Sequence, residues 1–307
     1  MSPGKVDHIN ASTRYCAVLG HPIAHSASPA MQNAGLGMLG LNWRYLAADV
    51  PPAGLKAAIQ GAQALGFIGL NLTVPHKLRA LRIVDVVDPD ARKWGAINTI
   101  VFETRDPAGR WVSVGSCPPA PGAAVRSHGY NTDADAIIQA LQEGFGWRSL
   151  RGATVLLLGA GGAAQAAALR LAQEGIKELW LVNRTAARRR TLQRMVARQY
   201  PRCVFGMGYP DKTVDLVINA TSLGLKRGDP VAIHLPWLKA HRPPRVFDMI
   251  YRPRETPLLR HAAKLGCQTV NGMGMLLYQG ARALELWTGR PAPVAAMRRA
   301  LEAHLYV

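Results

Sequence analysis

A glycine-rich stretch in the middle of the chain contains the residues with the clearest chemical use. It spans 159–164, follows the apolar run 153–158 and precedes an alanine-rich run at 165–172. This order predicts a buried strand, a tight turn and a helix whose free N-terminal N–H groups attract phosphate. An ordinary glycine turn is the alternative, but the flanking strand and helix favour a dinucleotide site. The candidate cofactor contacts in this turn are Gly159, Ala160, Gly161, Gly162 and Ala163.

The end of the next predicted strand indicates which dinucleotide is bound. The apolar run 178–182 is followed by Asn183, Arg184 and Thr185. An NAD site normally has a carboxylate here, which accepts a hydrogen bond from the ribose 2′-hydroxyl. An arginine instead attracts a 2′-phosphate and can bind it through two hydrogen bonds. We therefore predict NADP, bound through these three residues. A solvated basic helix face explains some of the arginines at 188–190 but fits Arg184 less well.

Length and composition limit the possible classes of protein. A chain of 307 residues predicts two domains, each able to bury a sizeable core. No apolar run reaches the ~18–20 residues that span a bilayer, and the first ten residues contain no long apolar segment. The four cysteines are far apart and form no C-x-x-C pair. We therefore predict a cytoplasmic protein without a membrane segment, a signal peptide, a disulfide framework or a zinc site.

The net charge of +18 raises the question of a nucleic-acid partner. The basic residues are spread along the whole chain, without the interleaved aromatic residues that stack on bases. We therefore predict no nucleic-acid partner and interpret the charge mainly as a compositional bias of the surface. Such a surface should still attract an anionic cofactor and a carboxylate substrate.

Two serines near the N-terminus form a candidate carboxylate site. Ser28 precedes Pro29, a residue suited to the first position of a helix, so we expect Ser28 to be the N-cap. A helix start with a second hydroxyl at Ser26 suits a carboxylate, whereas capping alone explains Ser28 but not Ser26. His21 and His25 have the spacing of metal ligands on a helix, but the proline between them predicts a loop. We predict no metal site.

A lysine and an aspartate have the chemistry for proton transfer. The predicted strand 67–73 is followed by Pro75, where we expect a helix to begin, with Lys77 in its first turn. The helix dipole would disfavour the charged form of a lysine there, which suits acid–base work, although most lysines are simply solvated. Asp133 begins a helix predicted to run to about Leu141, and a capping role would explain it taken alone.

Several motifs, in order along the chain, resemble the shikimate dehydrogenases. The matching stretches are 20–29, 71–77, 96–99, 129–133, 159–164, 183–185, 219–222, 248–251 and 272–279. Each is weak alone, but together they are specific and cover nearly the whole chain. The resemblance implies an α/β fold, in which an N-terminal α/β substrate-binding domain is joined to a Rossmann-type, doubly wound NADP-binding domain, with the active site in the cleft between them. We expect the substrate domain at 1–133 with 272–307, and the NADP domain at 134–271.

The resemblance also implies roles for individual residues. Lys77 and Asp133 would form the catalytic pair. Ser26 and Ser28 would hold the substrate carboxylate, and Tyr251 would reach the same region. The residues implied to bind ring hydroxyls are Asn71, Thr73, Asn98 and Gln279. Those implied to face the nicotinamide are Thr221, Met249 and Gly272.

An enzyme of this family would use NADPH to reduce 3-dehydroshikimate reversibly to shikimate, in the synthesis of chorismate and aromatic amino acids. Its oligomeric state would be monomer or homodimer. The Ser-x-Ser pattern resembles shikimate users more than quinate users, but a quinate or aminoshikimate dehydrogenase of the same family stays open. A non-catalytic NADP-binding regulator is a third hypothesis, against which the retention of Lys77 and Asp133 argues.

Two departures from the family pattern bear on the substrate. Extra residues, roughly Ser116 to Ser127, precede Asp133. A lid, an oligomer contact and no function are the alternatives for this segment. Ala134 and Ala136 replace glycines that are usual in the family, so we expect the start of the helix after Asp133 to differ slightly.

Overall fold

The structure is a computed structural model that describes residues 9–306. The chain divides into two compact units, which are described separately. The first unit ends at Thr132 and resumes at Leu277, and the second unit is Asp133–Leu276.

The first unit contains a seven-stranded mixed sheet in the order β2-β1-β3-β5-β7-β4, with β6 paired to β5. Its strands are β1 (Arg14–Gly20), β2 (Trp43–Asp49), β3 (Gly69–Leu72), β4 (Val86–Val87), β5 (Thr99–Arg105), β6 (Trp111–Ser113) and β7 (Val125–Tyr130). Its first helices are α1 (Ser28–Met38), α2 (Leu55–Ala64) and α3 (Pro89–Trp94). Strand β1 is parallel to β2 and β3, whereas β5 is antiparallel to β3, β6 and β7. The apolar residues of β1 and β3 are buried, as is typical of central strands covered on both faces.

The second unit contains a six-stranded parallel sheet in the order β10-β9-β8-β11-β12-β13. Its strands are β8 (Thr154–Leu158), β9 (Glu178–Val182), β10 (Val204–Met207), β11 (Leu216–Asn219), β12 (Arg245–Asp248) and β13 (Gln268–Asn271). Its helices are α4 (Asp133–Phe145), α5 (Gly162–Gln173), α6 (Ala186–Gln199), α7 (Leu235–His241) and α8 (Pro257–Lys264). Counted within the unit, this order is 3-2-1-4-5-6, the doubly wound arrangement that binds dinucleotides where the strand order reverses.

Two helices complete the chain, α9 (Met273–Thr288) and α10 (Val294–Tyr306). The boundary between the two units falls within the first turns of α9. Within residues 9–306, no helix combines the length and the apolar character that crossing a membrane requires.

Most of the helices and strands predicted from the sequence are present, which confirms the α/β class. Strand β9 has the predicted bounds. The long loop predicted up to Ser127 is shorter than expected, because β7 already begins at Val125. The helix predicted at Pro75 is wrong: residues 74–79 form consecutive turns, and a short 3-10 helix follows at Ala80–Arg82.

Candidate active site

The candidate substrate residues of the first unit lie along one edge of its sheet. Parallel strands β1 and β3 end there, and antiparallel β5 begins there, with Thr99 paired to the last residue of β7. Ser26 follows β1, Asn71 lies in β3, and Asn98 immediately precedes β5. The topology therefore brings together residues that are far apart in sequence, at an edge where α/β sheets bind ligands.

The side-chain amide of Asn98 is buried, and both its oxygen and its nitrogen form hydrogen bonds. Its Oδ1 accepts from the backbone N–H of Thr132 at 2.7 Å. Its Nδ2 donates to Thr132 Oγ1 at 3.0 Å and to Gln279 Oε1 at 3.5 Å. Gln279 is on α9, so this contact joins the helix to the sheet edge within the first unit. The proposed contact of Asn98 and Gln279 with ring hydroxyls remains a prediction.

The amide of Asn71 belongs to the same network. Its Nδ2 donates to the Asn98 carbonyl oxygen at 3.2 Å and to Thr99 Oγ1 at 3.0 Å. Its Oδ1 accepts from the hydroxyl of Tyr45 at 2.7 Å. Tyr45 is on β2, and the sequence analysis did not select it. Thr73 follows β3 and lies beside Gly20, where its methyl group occupies the space that a side chain would need.

Ser28 is the first residue of α1 and not its N-cap, which corrects the sequence prediction. Ala27 holds the cap position, and no side chain caps the helix. Ser28 is 7% exposed. Ser26 is more exposed and accepts a long 3.4 Å hydrogen bond from the backbone N–H of Ser28. The two hydroxyls therefore lie at one helix start, but neither is consumed by capping.

Lys77 is held by a loop instead of a helix. No helix begins at Pro75, so the helix dipole that the sequence analysis expected to act on this lysine is absent. The backbone is fixed on both sides: the Lys77 carbonyl accepts from the N–H of Ile97 at 2.9 Å, and buried His76 contacts the Val50 carbonyl through Nε2 at 2.9 Å. The loop thus has a defined conformation that presents the lysine.

No metal-binding arrangement exists among residues 9–306, where no group of three or more histidine, cysteine, aspartate or glutamate side chains could hold an ion. His21 instead lies 2.6 Å from Asp49, measured between Nδ1 and Oδ1.

In the second unit, the glycine turn follows β8, at the strand end beside β11. Gly159 has φ +107°, and a Cβ there would lie 2.9 Å from the carbonyl oxygen of Ala220, so only glycine fits without strain. Gly161 is the N-cap of α5, and the space where its Cβ would stand is open to 4 Å. This open cradle at a helix N-terminus fits a pyrophosphate.

The predicted 2′-phosphate residues follow β9, next to the glycine turn. Arg184 is exposed and forms no ion pair with any residue in the described range 9–306. Asn183 Nδ2 donates to the Thr185 carbonyl at 3.1 Å, which shapes this turn. Thr185 is the N-cap of α6, but its side chain makes no capping hydrogen bond. The three residues fit a phosphate and stay candidate cofactor contacts.

Asp133 and Tyr251 are the other candidate residues of the second unit. Asp133 is the first residue of α4 and only 3% exposed, an unusual degree of burial for a carboxylate. Tyr251 follows β12 and is half-buried. Their roles in catalysis and carboxylate binding remain predictions.

A buried network positions the residues predicted to face the nicotinamide. Asp248, fully buried at the end of β12, accepts from Asn219 Nδ2 at 2.9 Å, the Ile250 N–H at 3.0 Å and Thr256 Oγ1 at 2.7 Å. Asn219 Oδ1 in turn accepts from the N–H and the hydroxyl of Thr221, at 3.0 and 2.7 Å. Asn219 and Asp248 could have been selected from the sequence, because each is a polar residue that ends a buried strand.

The same network brings Met249 and Gly272 together. Met249 N–H donates to the Asn219 carbonyl at 2.9 Å. A Cβ on Gly272 would lie 2.0 Å from the Met249 carbonyl oxygen, so this close backbone approach requires glycine. Thr221, Met249 and Gly272 therefore lie at adjoining strand ends of this unit, as a shared site requires.

Three protein-family models match the chain. One, described as the shikimate dehydrogenase substrate binding domain, matches residues 18–100. A second, described as shikimate / quinate 5-dehydrogenase, matches 140–224, and a third, the shikimate 5′-dehydrogenase C-terminal domain, matches 272–302.

Curated relatives match over nearly their full length. The shikimate dehydrogenase (NADP(+)) of Methanopyrus kandleri is 37% identical over 304 residues, covering 97% of this chain and 98% of the relative. That of Moorella thermoacetica is 42% identical over 302 residues, covering 95% and 94%.

Solved structures with the same fold include three with ligands. A shikimate dehydrogenase in complex with NADP+ has a TM-score of 0.82, 34% identity and 98% coverage of both chains. A shikimate 5-dehydrogenase from Thermus thermophilus with NADP(H) and shikimate has a TM-score of 0.77, 33% identity and coverage of 95% and 100%. A quinate dehydrogenase from Corynebacterium glutamicum with NAD has a TM-score of 0.77, 29% identity and coverage of 95% and 99%.

The Asp248 network predicts an unusual titration. Burial raises the pKa of the Asp248 carboxyl from 3.8 to about 6, although Thr256, the Ile250 N–H and Asn219 donate to it and oppose the shift. Its pKa is raised on folding, so its contribution to stability is complete below about pH 3.8 and is lost as the pH rises through 6. We expect the free energy of unfolding of wild type relative to Asp248→Asn to fall by about 2–3 kcal/mol between pH 3.5 and 7.

Carboxyl ¹³C NMR would check this titration directly, with Asp248→Asn used to assign the signal. Asp229, which is partly exposed, provides an internal control, because backbone N–H donors, chiefly that of Lys226, lower its pKa below 3.8. A midpoint for Asp248 at or below that of Asp229 would show that the donors outweigh burial.

Proposed function

Because the chain belongs to the shikimate dehydrogenase family, we propose that it is an NADP-dependent shikimate dehydrogenase. It reversibly reduces 3-dehydroshikimate to shikimate in the cytoplasm, on the route to chorismate and the aromatic amino acids. The observation that supports this best is the connected network of Asn71, Asn98 and Gln279 at one sheet edge, which offers amide groups to a polyhydroxylated ring.

The first unit is proposed to bind the substrate. Ser26 and Ser28 are proposed to hold the carboxylate, and Tyr251 is a further proposed carboxylate contact. The ring hydroxyls are bound by Asn71, Thr73, Asn98 and Gln279. Buried amides fixed by other protein groups suit this role, since a site built to hydrogen-bond hydroxyls strongly rejects analogues that lack them.

Lys77 is proposed to be the proton donor, with Asp133 as its partner. Reduction of the ketone adds a hydride to the carbonyl carbon and a proton to its oxygen, and the bound NADPH supplies the hydride. The Lys77 ammonium gives its proton to the forming alkoxide and takes it back in the oxidation of shikimate. The Asp133 carboxylate orients the ammonium.

The second unit is proposed to bind NADP. The open turn at Gly161 and the start of α5 receive the pyrophosphate. Arg184, with Asn183 and Thr185, receives the 2′-phosphate, for which a guanidinium is suited and a carboxylate is not. Thr221, Met249 and Gly272 face the nicotinamide.

A quinate dehydrogenase is the second candidate, because a quinate dehydrogenase with NAD has the same fold. Arg184 favours NADP and argues against that assignment. An enzyme for an aminated analogue and a non-catalytic NADP-binding regulator are weaker alternatives. We propose a monomer or homodimer without nucleic-acid or membrane partners.

Initial rates with purified protein would test the reaction. We expect fast oxidation of shikimate with NADP and much slower turnover with quinate or with NAD. A preference for quinate would assign the chain to the quinate branch, and NADP binding without any turnover would favour the regulator.

Replacement of Lys77 by methionine tests the proton donor. General acid–base catalysis typically contributes about 10²–10⁴-fold, so Lys77→Met should lose this much in kcat while shikimate affinity, measured by calorimetry, changes little. Lys56→Met, at an exposed position of α2, is the matched control and should keep wild-type kcat. Unchanged turnover in Lys77→Met would remove the lysine from the mechanism.

Replacement of Arg184 by alanine tests the choice of cofactor. Loss of a charge-assisted bond to the 2′-phosphate should raise KM for NADP by about 10–100-fold and leave KM for NAD nearly unchanged. Arg198→Ala removes the same charge from the last turn of α6 and controls for net charge. Equal effects on both cofactors would refute the 2′-phosphate assignment.

A further inference from the structure

The hydroxyl of Tyr45 supports one of the candidate substrate residues. Tyr45 lies on β2 and is 2% exposed. Its hydroxyl donates to Asn71 Oδ1 at 2.7 Å. Asn71 is proposed to bind a ring hydroxyl of the substrate, so this buried tyrosine contacts a residue of the proposed site.

The backbone around Tyr45 leaves its ring little freedom. Asn33 on α1 bonds both backbone groups of Tyr45, with Nδ2 donating to the carbonyl at 2.9 Å and Oδ1 accepting from the N–H at 2.8 Å. The ring also packs against Trp287, with centroids 6.0 Å apart. The hydroxyl is thus held at a fixed place beside Asn71.

The direction of each hydrogen bond follows from one carbonyl group. The Asn98 carbonyl can only accept, so the nitrogen of the Asn71 amide must face it. Asn71 Oδ1 then faces Tyr45, which must donate its one proton. The Tyr45 hydroxyl thus donates to Asn71 and holds the amide in this orientation.

This order holds through the neutral pH range. Burial raises the pKa of the Tyr45 phenol well above its ordinary value of 10, so the hydroxyl keeps the proton that it donates. The Asn71 amide consequently cannot rotate without breaking bonds to Tyr45, Asn98 and Thr99.

We propose that Tyr45 is a positioning residue for substrate recognition. It fixes the orientation of the Asn71 amide, on which the proposed recognition of a ring hydroxyl depends. The proposal rests on the proposed function for the identity of the substrate, but the internal order of the network does not depend on it. A purely structural tyrosine would contribute to folding and leave substrate recognition unchanged.

Tyr45→Phe removes only the hydroxyl and tests the proposal in steady-state kinetics. We expect KM for shikimate to rise about tenfold, with kcat within about threefold of wild type and KM for NADP unchanged. Tyr15→Phe is the matched control, since Tyr15 lies on the neighbouring strand β1 and its ring packs on Phe67 at 5.8 Å. A melting temperature lowered in Tyr45→Phe, with both KM values unchanged, would overturn the proposal in favour of a structural role.

A second measurement is independent of turnover. With selectively ¹⁵N-labelled asparagine, the Nδ2 protons of Asn71 should exchange slowly in wild type and in Tyr15→Phe, and at least tenfold faster in Tyr45→Phe. Equal exchange rates in all three proteins would overturn the proposal even if shikimate is not the substrate. Failure of wild type to oxidise shikimate, with exchange accelerated as expected, would instead refute only the proposed function.

Discussion

The hydrogen bond from the Asn71 amide to the Asn98 carbonyl determines the chemistry of the first unit's sheet edge. A carbonyl oxygen has no donor to offer, so it decides which end of the amide faces it. Every further bond in the network, to Tyr45 on one side and Thr99 on the other, inherits its direction from that contact. Because the groups are buried, a reversed amide would place Asn71 Oδ1 against the Asn98 carbonyl, two acceptors without a proton between them, at a cost of about 1–3 kcal/mol for each unsatisfied group.

In the second unit, a buried carboxylate positions the surrounding groups in the same way. Asp248 gathers three donors from separate parts of the chain and thereby fixes the loops that follow β11 and β12. In each unit, side chains proposed to contact a ligand are held by buried neighbours that do not need to touch it. Such rigid support keeps hydrogen-bond donors in the positions that binding of a substrate or cofactor requires.

The sequence predicted those features that depend on neighbouring residues. The glycine turn, its flanking strand and helix, and strand β9 follow from local pattern and agree with the structure. The helix at Pro75 and the cap at Ser28 were wrong, because a proline and a serine are compatible with several local conformations. The role of Tyr45 could not be predicted, since its partner Asn71 is 26 positions away in sequence and meets it only through the order of strands β2-β1-β3.

The segment between β6 and β7 has both of its ends attached to a single strand. The N–H of Val114 donates to the Phe102 carbonyl, and Val125 is paired with Thr104, so both attachments are on β5. Residues 118–124 between them are exposed. Lengthening a loop whose ends are already fixed costs only about 0.6 kcal/mol for each doubling. The segment is therefore a natural place to insert an affinity tag or a fluorescent reporter without changing the register of the sheet.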